Sequence, residues 1–165
     1  MNETGERKGT KGGLLLVEDN EADVLFFKRA VARTKSDVPL DVVMNGVDAV
    51  QQLSGTGPYG DRQRHPLPSL MVLDLKLPRM SGLEVLEWMA TQPSLRSVRT
   101  IVLTSSPQES DIRRAYALGA VCYVVKPVES AALQEVVSSI VGFWDDPGTG
   151  QAPLARHRVT VDSKP

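Results

Sequence analysis

Four short apolar runs in this chain each close on a residue able to handle a phosphate or a metal ion. Leu14 to Val17 runs into Glu18 and Asp19, and Leu70 to Leu73 runs into Asp74. Thr100 to Leu103 runs into Thr104, and Cys122 to Val125 runs into Lys126 and Pro127. The polar residue falls where a strand would leave its sheet, and open α/β sheets bind ligands outside the carboxyl ends of their strands. Three carboxylates, a hydroxyl and an ammonium gathered at such an edge describe one site. The acids repel one another unless a hard divalent cation sits among them, which suits Mg²⁺, or Mn²⁺ in its place. No His/Cys cluster competes for a softer metal. Asp74 is the candidate nucleophile. A carboxylate is already ionised at pH 7 and attacks phosphorus without a general base, so the work left is positioning and charge neutralisation. Lys126 supplies a mobile point charge for one phosphoryl oxygen, while the Thr104 hydroxyl and a backbone N–H after Asp74 take the others. Each ending has an ordinary reading by itself, as a helix cap, a turn or a helix start; their conjunction carries the site.

The elements that must position these groups alternate. A strand over about 14–18 leads to a helix over 23–33, capped by Asn20, with Val24, Phe27 and Val31 on one stripe. A strand over 40–44 turns at Asn45-Gly46 into a helix over 47–53. The Gly/Pro-rich stretch from Ser54 to Pro68 is long for a connection, so it is either functional or mobile. Strands ending at Asp74, Thr104 and Lys126 are followed by helices over 83–90, 107–118 and 129–143, the second stopped by Gly119. Five alternations argue an α/β fold: a flavodoxin-like, doubly wound five-stranded parallel sheet of order 2-1-3-4-5 with helices on both faces. That order sets Glu18 and Asp19 beside Asp74. Residues 1–12 read as a disordered leader, 13–144 as the domain and 145–165 as a loose tail.

Composition narrows the function classes. With 165 residues, 41% hydrophobic and 24% charged, the chain reads as one soluble globular domain. A net charge of −1 and a pI near 6.1 offer no field for nucleic acid or anionic membrane. There is no membrane-length apolar run and no signal-peptide core. The single cysteine, Cys122, excludes an internal disulfide, and a cytoplasmic location is expected.

The chain resembles a receiver domain of a two-component response regulator over residues 12–144. Glu18-Asp19 matches that family's metal-binding acids, with Glu where Asp is commoner, and Asp74 matches its phosphorylated aspartate. Leu75-Lys76-Leu77-Pro78, with Met80 and Gly82, matches the loop that follows. Thr104-Ser105-Ser106 matches the hydroxyl residue and its small neighbours, Lys126-Pro127 the lysine before a cis proline, and Tyr123 the aromatic that changes rotamer. The resemblance implies Mg²⁺-dependent phosphotransfer from a phosphohistidine on a partner histidine kinase. It makes the Lys76 main-chain carbonyl a metal ligand, and sets Lys76 and Ser106 on either side of the water that hydrolyses the phosphate. Thr104 would move toward the phosphoryl group and leave room under the fourth helix for Tyr123, a two-state packing element.

The readout face would then be the fourth helix, fifth strand and fifth helix, which could also form a homodimer, with Phe143-Trp144 either capping the core or widening that contact. The 54–68 insert and the Phe-Trp pair also resemble small regulators paired with phytochrome-type histidine kinases. The stretch after Trp144 is too short for a helix-turn-helix output module, so signalling through protein contacts is expected, without turnover of a separate substrate. The alternatives are a phosphorelay intermediate, a degenerate receiver that only binds partners, and a phosphatase resembling the haloacid dehalogenase type. The last needs a second acid where Lys76 stands. A flavin-binding flavodoxin is disfavoured because no Gly-rich phosphate loop follows the first strand.

Overall fold

The computed structural model describes residues 11–161. Five strands, β1 (Leu14–Val17), β2 (Leu40–Val43), β3 (Leu70–Leu73), β4 (Arg99–Thr104) and β5 (Cys122–Val125), form one parallel sheet of order β2-β1-β3-β4-β5. Leu14 stands opposite Leu40 on one side and Leu70 on the other, so β1 and β3 finish level. Six helices flank the sheet: α1 (Glu21–Arg33), α2 (Gly46–Ser54), α3 (Gly82–Ala90), α4 (Glu109–Ala117), α5 (Ser130–Asp145) and α6 (Pro147–Ala155).

Side chains alternate across a strand, so each run feeds two cores at once. Leu14, Leu16, Val72 and Ile101 face α1 and α5, while Leu15, Val17, Met71 and Val102 face α2, α3 and α4. Burial on both faces is why the strands read as unbroken apolar runs. Side-chain caps set the helix starts. Asn20 accepts from the Asp23 N–H, Asn45 from Asp48, and Ser81 forms a reciprocal capping box with Glu84.

The 54–68 stretch folds back over the end of α2. The Arg62 guanidinium donates to the carbonyls of Gln52 and Leu53, both at 2.7 Å, and of His65 at 3.2 Å. It thereby closes the carbonyls that a helix leaves unpaired at its C-terminus.

The two ends of the described segment differ from expectation, residues 162–165 of the expected tail lying outside it. Residues 1–10 of the expected leader lie outside the described residues, but Lys11 and Gly12 are tied down. The Gly12 carbonyl accepts from Trp144 Nε1 at 2.8 Å and from Ser69 Oγ at 2.6 Å, and the Lys11 ammonium lies 4.4 Å from the Trp144 ring. Phe143 and Trp144 are therefore buried caps of the core and offer no exposed aromatic surface for a dimer.

The expected loose tail begins instead with α6. Asp146 caps it, Pro147 occupies a first-turn position where its missing N–H costs nothing, and Leu154 is buried. Gly150 approaches α5 so closely that a Cβ there would overlap the Phe143 backbone. Beyond α6, the Val159 N–H donates to the Tyr123 carbonyl of β5 at 2.8 Å. No helix among the described residues is long and apolar enough to cross a membrane.

Candidate functional site

The C-terminal edge of the sheet gathers the predicted groups. Glu18 leaves β1 buried, Asp19 follows it exposed, and Asp74 leaves β3 buried. One carboxylate oxygen from each of the three lies within 4.8 Å of the others. From the end of β5, Lys126 Nζ reaches Glu18 Oε2 at 2.5 Å and Asp74 Oδ2 at 3.2 Å.

It also reaches Asp23 Oδ2 at 3.1 Å, a residue the sequence reading did not place in the site. The signal was available. Asp23 sits in the first turn of a helix separated from the end of β1 by only three residues, so its carboxylate hangs over the same strand end. An apolar floor of Leu16, Phe27, Val72 and Leu103 lies beneath the cluster.

Charge in this cleft is unevenly shared. Burial pushes Glu18 up to about 7, against the pull of Lys126 and of the Asn20 N–H, which donates to it at 3.0 Å. Burial alone would pull Lys126 down. Glu18, Asp74 and Asp23 outweigh it and hold the ammonium above its ordinary value. The lysine is therefore charged throughout the working range and divided among three carboxylates.

The loop after Asp74 is fixed by backbone. The Lys76 N–H points at Asp74 Oδ1 from 3.3 Å, while the Lys76 side chain is exposed. Gly82 N–H donates to the Leu75 carbonyl at 2.9 Å, and Gly82 packs so tightly that a Cβ would overlap the Asp74 carbonyl oxygen. A side chain at Gly82 would push directly on the strand end that carries Asp74.

On the other flank, Thr104 closes β4 fully buried, and its Oγ1 accepts from the Ser106 N–H at 3.4 Å. Ser106 Oγ donates to Asp111 Oδ2 of α4 at 2.6 Å. The Tyr123 ring, expected to move inward only after Thr104 shifts, is already fully buried, with its hydroxyl donating to the Ser106 carbonyl at 2.8 Å. Inward packing removes a large apolar ring from water and still satisfies the hydroxyl, so no vacancy has to be made first. The expected cis bond before Pro127 is also absent. All peptide bonds among the described residues are trans, the form an X–Pro amide favours by about 0.5–1 kcal/mol.

A 2-1-3-4-5 parallel sheet that brings an acid pair, an aspartate, a hydroxyl and a lysine to one edge is the architecture of a receiver. The chain belongs to the response regulator receiver domain family, whose model matches residues 14–138. It is 34% identical over 131 residues to the response regulator Rcp1 of Synechocystis sp., covering 79% of this chain and 87% of that one. Among solved structures it is similar to the phosphorylated cyanobacterial phytochrome response regulator RcpA. The TM-score is 0.76 at 34% identity, covering 83% of this chain and 96% of that one. The Mn²⁺-bound form of Rcp1 is similar with a TM-score of 0.72 at 29% identity, covering 92% and 99%. An acidic cluster able to hold a divalent cation is thus present in a chain related to phytochrome response regulators.

Proposed function

We propose that this protein is a phosphorylation-controlled switch that accepts a phosphoryl group on Asp74 from a phosphohistidine of a cytoplasmic histidine kinase. The observation that carries this reading is the convergence of Lys126 and the Glu18–Asp19 pair on one buried carboxylate. An Asp74 oxygen forms the bond to phosphorus as the bond to the histidine nitrogen breaks. Lys126, the Thr104 hydroxyl and the Lys76 N–H then receive the phosphoryl oxygens. Glu18, Asp19, Asp74 and the Lys76 main-chain carbonyl would hold Mg²⁺, which would supply the positive charge for these carboxylates to share a pocket with a phosphate. Lys126 Nζ already lies 3.2 Å from Asp74 Oδ2, so it would reach a phosphoryl oxygen there by leaving Glu18. Likeness to Rcp1 and RcpA supports a bacterial phytochrome as the partner kinase. Lys76, where a phosphatase of the dehalogenase kind needs its second acid, supports a phosphoacceptor rather than a hydrolase with a substrate of its own.

The test is intact mass after incubation with acetyl phosphate. Wild type with Mg²⁺ is expected to gain one phosphoryl group; Asp74→Asn and wild type in chelator gain none. A wild-type chain that gains nothing under rapid quenching would sink the proposal.

The raised Glu18 pKa makes metal binding pH-dependent. A ligand carboxylate must be ionised, so Mg²⁺ is expected to displace a proton below pH 7, losing up to about tenfold in affinity per further pH unit. The sign for the metal-free fold is opposite. Because the fold favours the neutral acid, its stability rises as pH falls from about 7 toward the ordinary value of 4.5. Calorimetric titration with Mg²⁺ at pH 6.5, in two buffers of unequal ionisation enthalpy, checks the proton release. Equal heats in both buffers would rule it out.

A further inference from the structure

We propose that residues 156–161 form a strap that holds the outer edge of β5 closed within the same chain and is released when Asp74 is phosphorylated. The coupling rests on the phosphoacceptor reading above; the strap itself rests on geometry. β5 ends the sheet, so its outward N–H and C=O groups need partners or stand as a template for another strand. At Tyr123 both are taken. Val159 N–H donates to the Tyr123 carbonyl at 2.8 Å, and the Tyr123 N–H donates to the Tyr116 hydroxyl at 3.0 Å. That hydroxyl in turn donates to the Val159 carbonyl at 2.8 Å. One tyrosine from α4 thus closes a ring of three hydrogen bonds between the sheet edge and the strap.

The same Tyr123 is bound on its other side to the phosphorylation site. Its hydroxyl holds the Ser106 carbonyl, the Ser106 hydroxyl holds Asp111 at the start of α4, and the Ser106 N–H holds Thr104. A phosphoryl group on Asp74 offers Thr104 a stronger acceptor than it has at rest. Drawing Thr104 away removes one of the three hydrogen bonds that fix Ser106, the residue that links Tyr123 to the start of α4, and so loosens the relation on which the strap ring depends. Besides that ring, the half-buried Val159 and Val161 pack against the core on the α2–α4 side of the sheet, and the His157 and Arg158 N–H groups donate to the Leu154 and Ala155 carbonyls. His157 Nε2 lies 3.2 Å from Ser139 Oγ, and the Arg158 guanidinium lies 5.9 Å from the Tyr116 ring. The segment belongs to no helix or strand and its alternate residues Arg156, Arg158 and Thr160 are exposed; such surface segments open at small cost, so a local shift suffices to free it.

Hydrogen exchange of the full chain, read by mass spectrometry over 156–161, tests the proposal. The resting state is compared with Mg²⁺ plus beryllofluoride, whose adduct is verified by fluorine-19 NMR. Exchange over this segment is expected to rise about tenfold with the adduct, the equivalent of losing one net hydrogen bond. Tyr116→Phe, which removes the bridging hydroxyl, and Val159→Pro, which removes the donor, are each expected to raise resting exchange similarly and to blunt the further effect of beryllofluoride. An adduct with unchanged exchange over 156–161 overturns strap release while leaving Asp74 as acceptor. No adduct overturns both the acceptor reading and the coupling. Resting exchange equal to wild type in both variants overturns the strap itself.

Discussion

At pH 8 without divalent metal, Lys126→Ala is expected to lose about 3 kcal/mol of stability. Added Mg²⁺ should return most of it without returning phosphoryl acceptance. The lysine is the cation shared by Glu18, Asp23 and Asp74 in the described structure, and two of those three acids are buried. Unit charges about 4 Å apart interact by roughly 4 kcal/mol at an effective dielectric of 20, so taking away the ammonium leaves a costly repulsion. Part of that cost is avoided because Glu18, already pushed up by burial, takes a proton more readily still. The loss should therefore shrink on acidification below pH 7. A divalent ion among the acids replaces the missing charge by binding the folded state alone. It does not replace a donor able to follow a phosphoryl oxygen, so the rate of adduct formation is expected to fall by about 100-fold or more. Denaturant unfolding at pH 8 and 5.5, with and without Mg²⁺, reads the first half, and intact mass over time reads the second. Identical stability losses at both pH values would contradict the electrostatic account.

Gly82→Ala is expected to have the second large effect, although glycine brings no functional group. The added methyl has no free direction: it meets the Asp74 carbonyl oxygen and stands 2.7 Å from Leu75 Cα, both backbone. Relief requires moving either β3's end or α3's start, and overpacking of this kind costs about 1–3 kcal/mol. The same movement displaces the Lys76 carbonyl and the Asp74 carboxylate from the cation position, so Mg²⁺ affinity should drop by about tenfold, the scale of losses from disturbed supporting groups. Gly142→Ala is the matched control. A Cβ there meets nothing within 4 Å, so the helix should gain about 0.5–1 kcal/mol from the better helix former. Unchanged Mg²⁺ affinity in Gly82→Ala would show that the loop tolerates displacement.

The sheet and most of the site were legible because both are written locally. Doubly buried strands announce themselves as apolar runs such as Leu70 to Leu73, and each functional group is the residue at which such a run stops. Features that depend on meetings between distant segments were not legible. Whether Trp144 caps the core or faces a partner is undecided until Gly12 accepts its indole N–H and Lys11 covers its ring. The helix from Pro147 to Ala155 has no apolar stripe; its glycines argue for a loose tail, yet one of them, Gly150, is what lets it lie against α5. Asp23 is the exception: its first-turn place just after β1 was legible, but a helix N-terminus favours negative charge whatever else is nearby, so it passed for an ordinary first-turn acid. The resting position of Tyr123 depends on a carbonyl 17 residues earlier, which no local pattern encodes.

The ion pair between Lys126 and Glu18 spans 108 residues of chain, and that separation orders events during synthesis. The acids after β1 and β3 leave the ribosome well before the lysine exists. A partly made chain that pairs those two strands carries clustered carboxylates without the lysine that offsets them in the finished fold. Parallel sheets already assemble slowly, because their pairings close long loops. Here the final strand also delivers the charge the earlier ones lack, so the charged cluster comes into being only as the fold is completed.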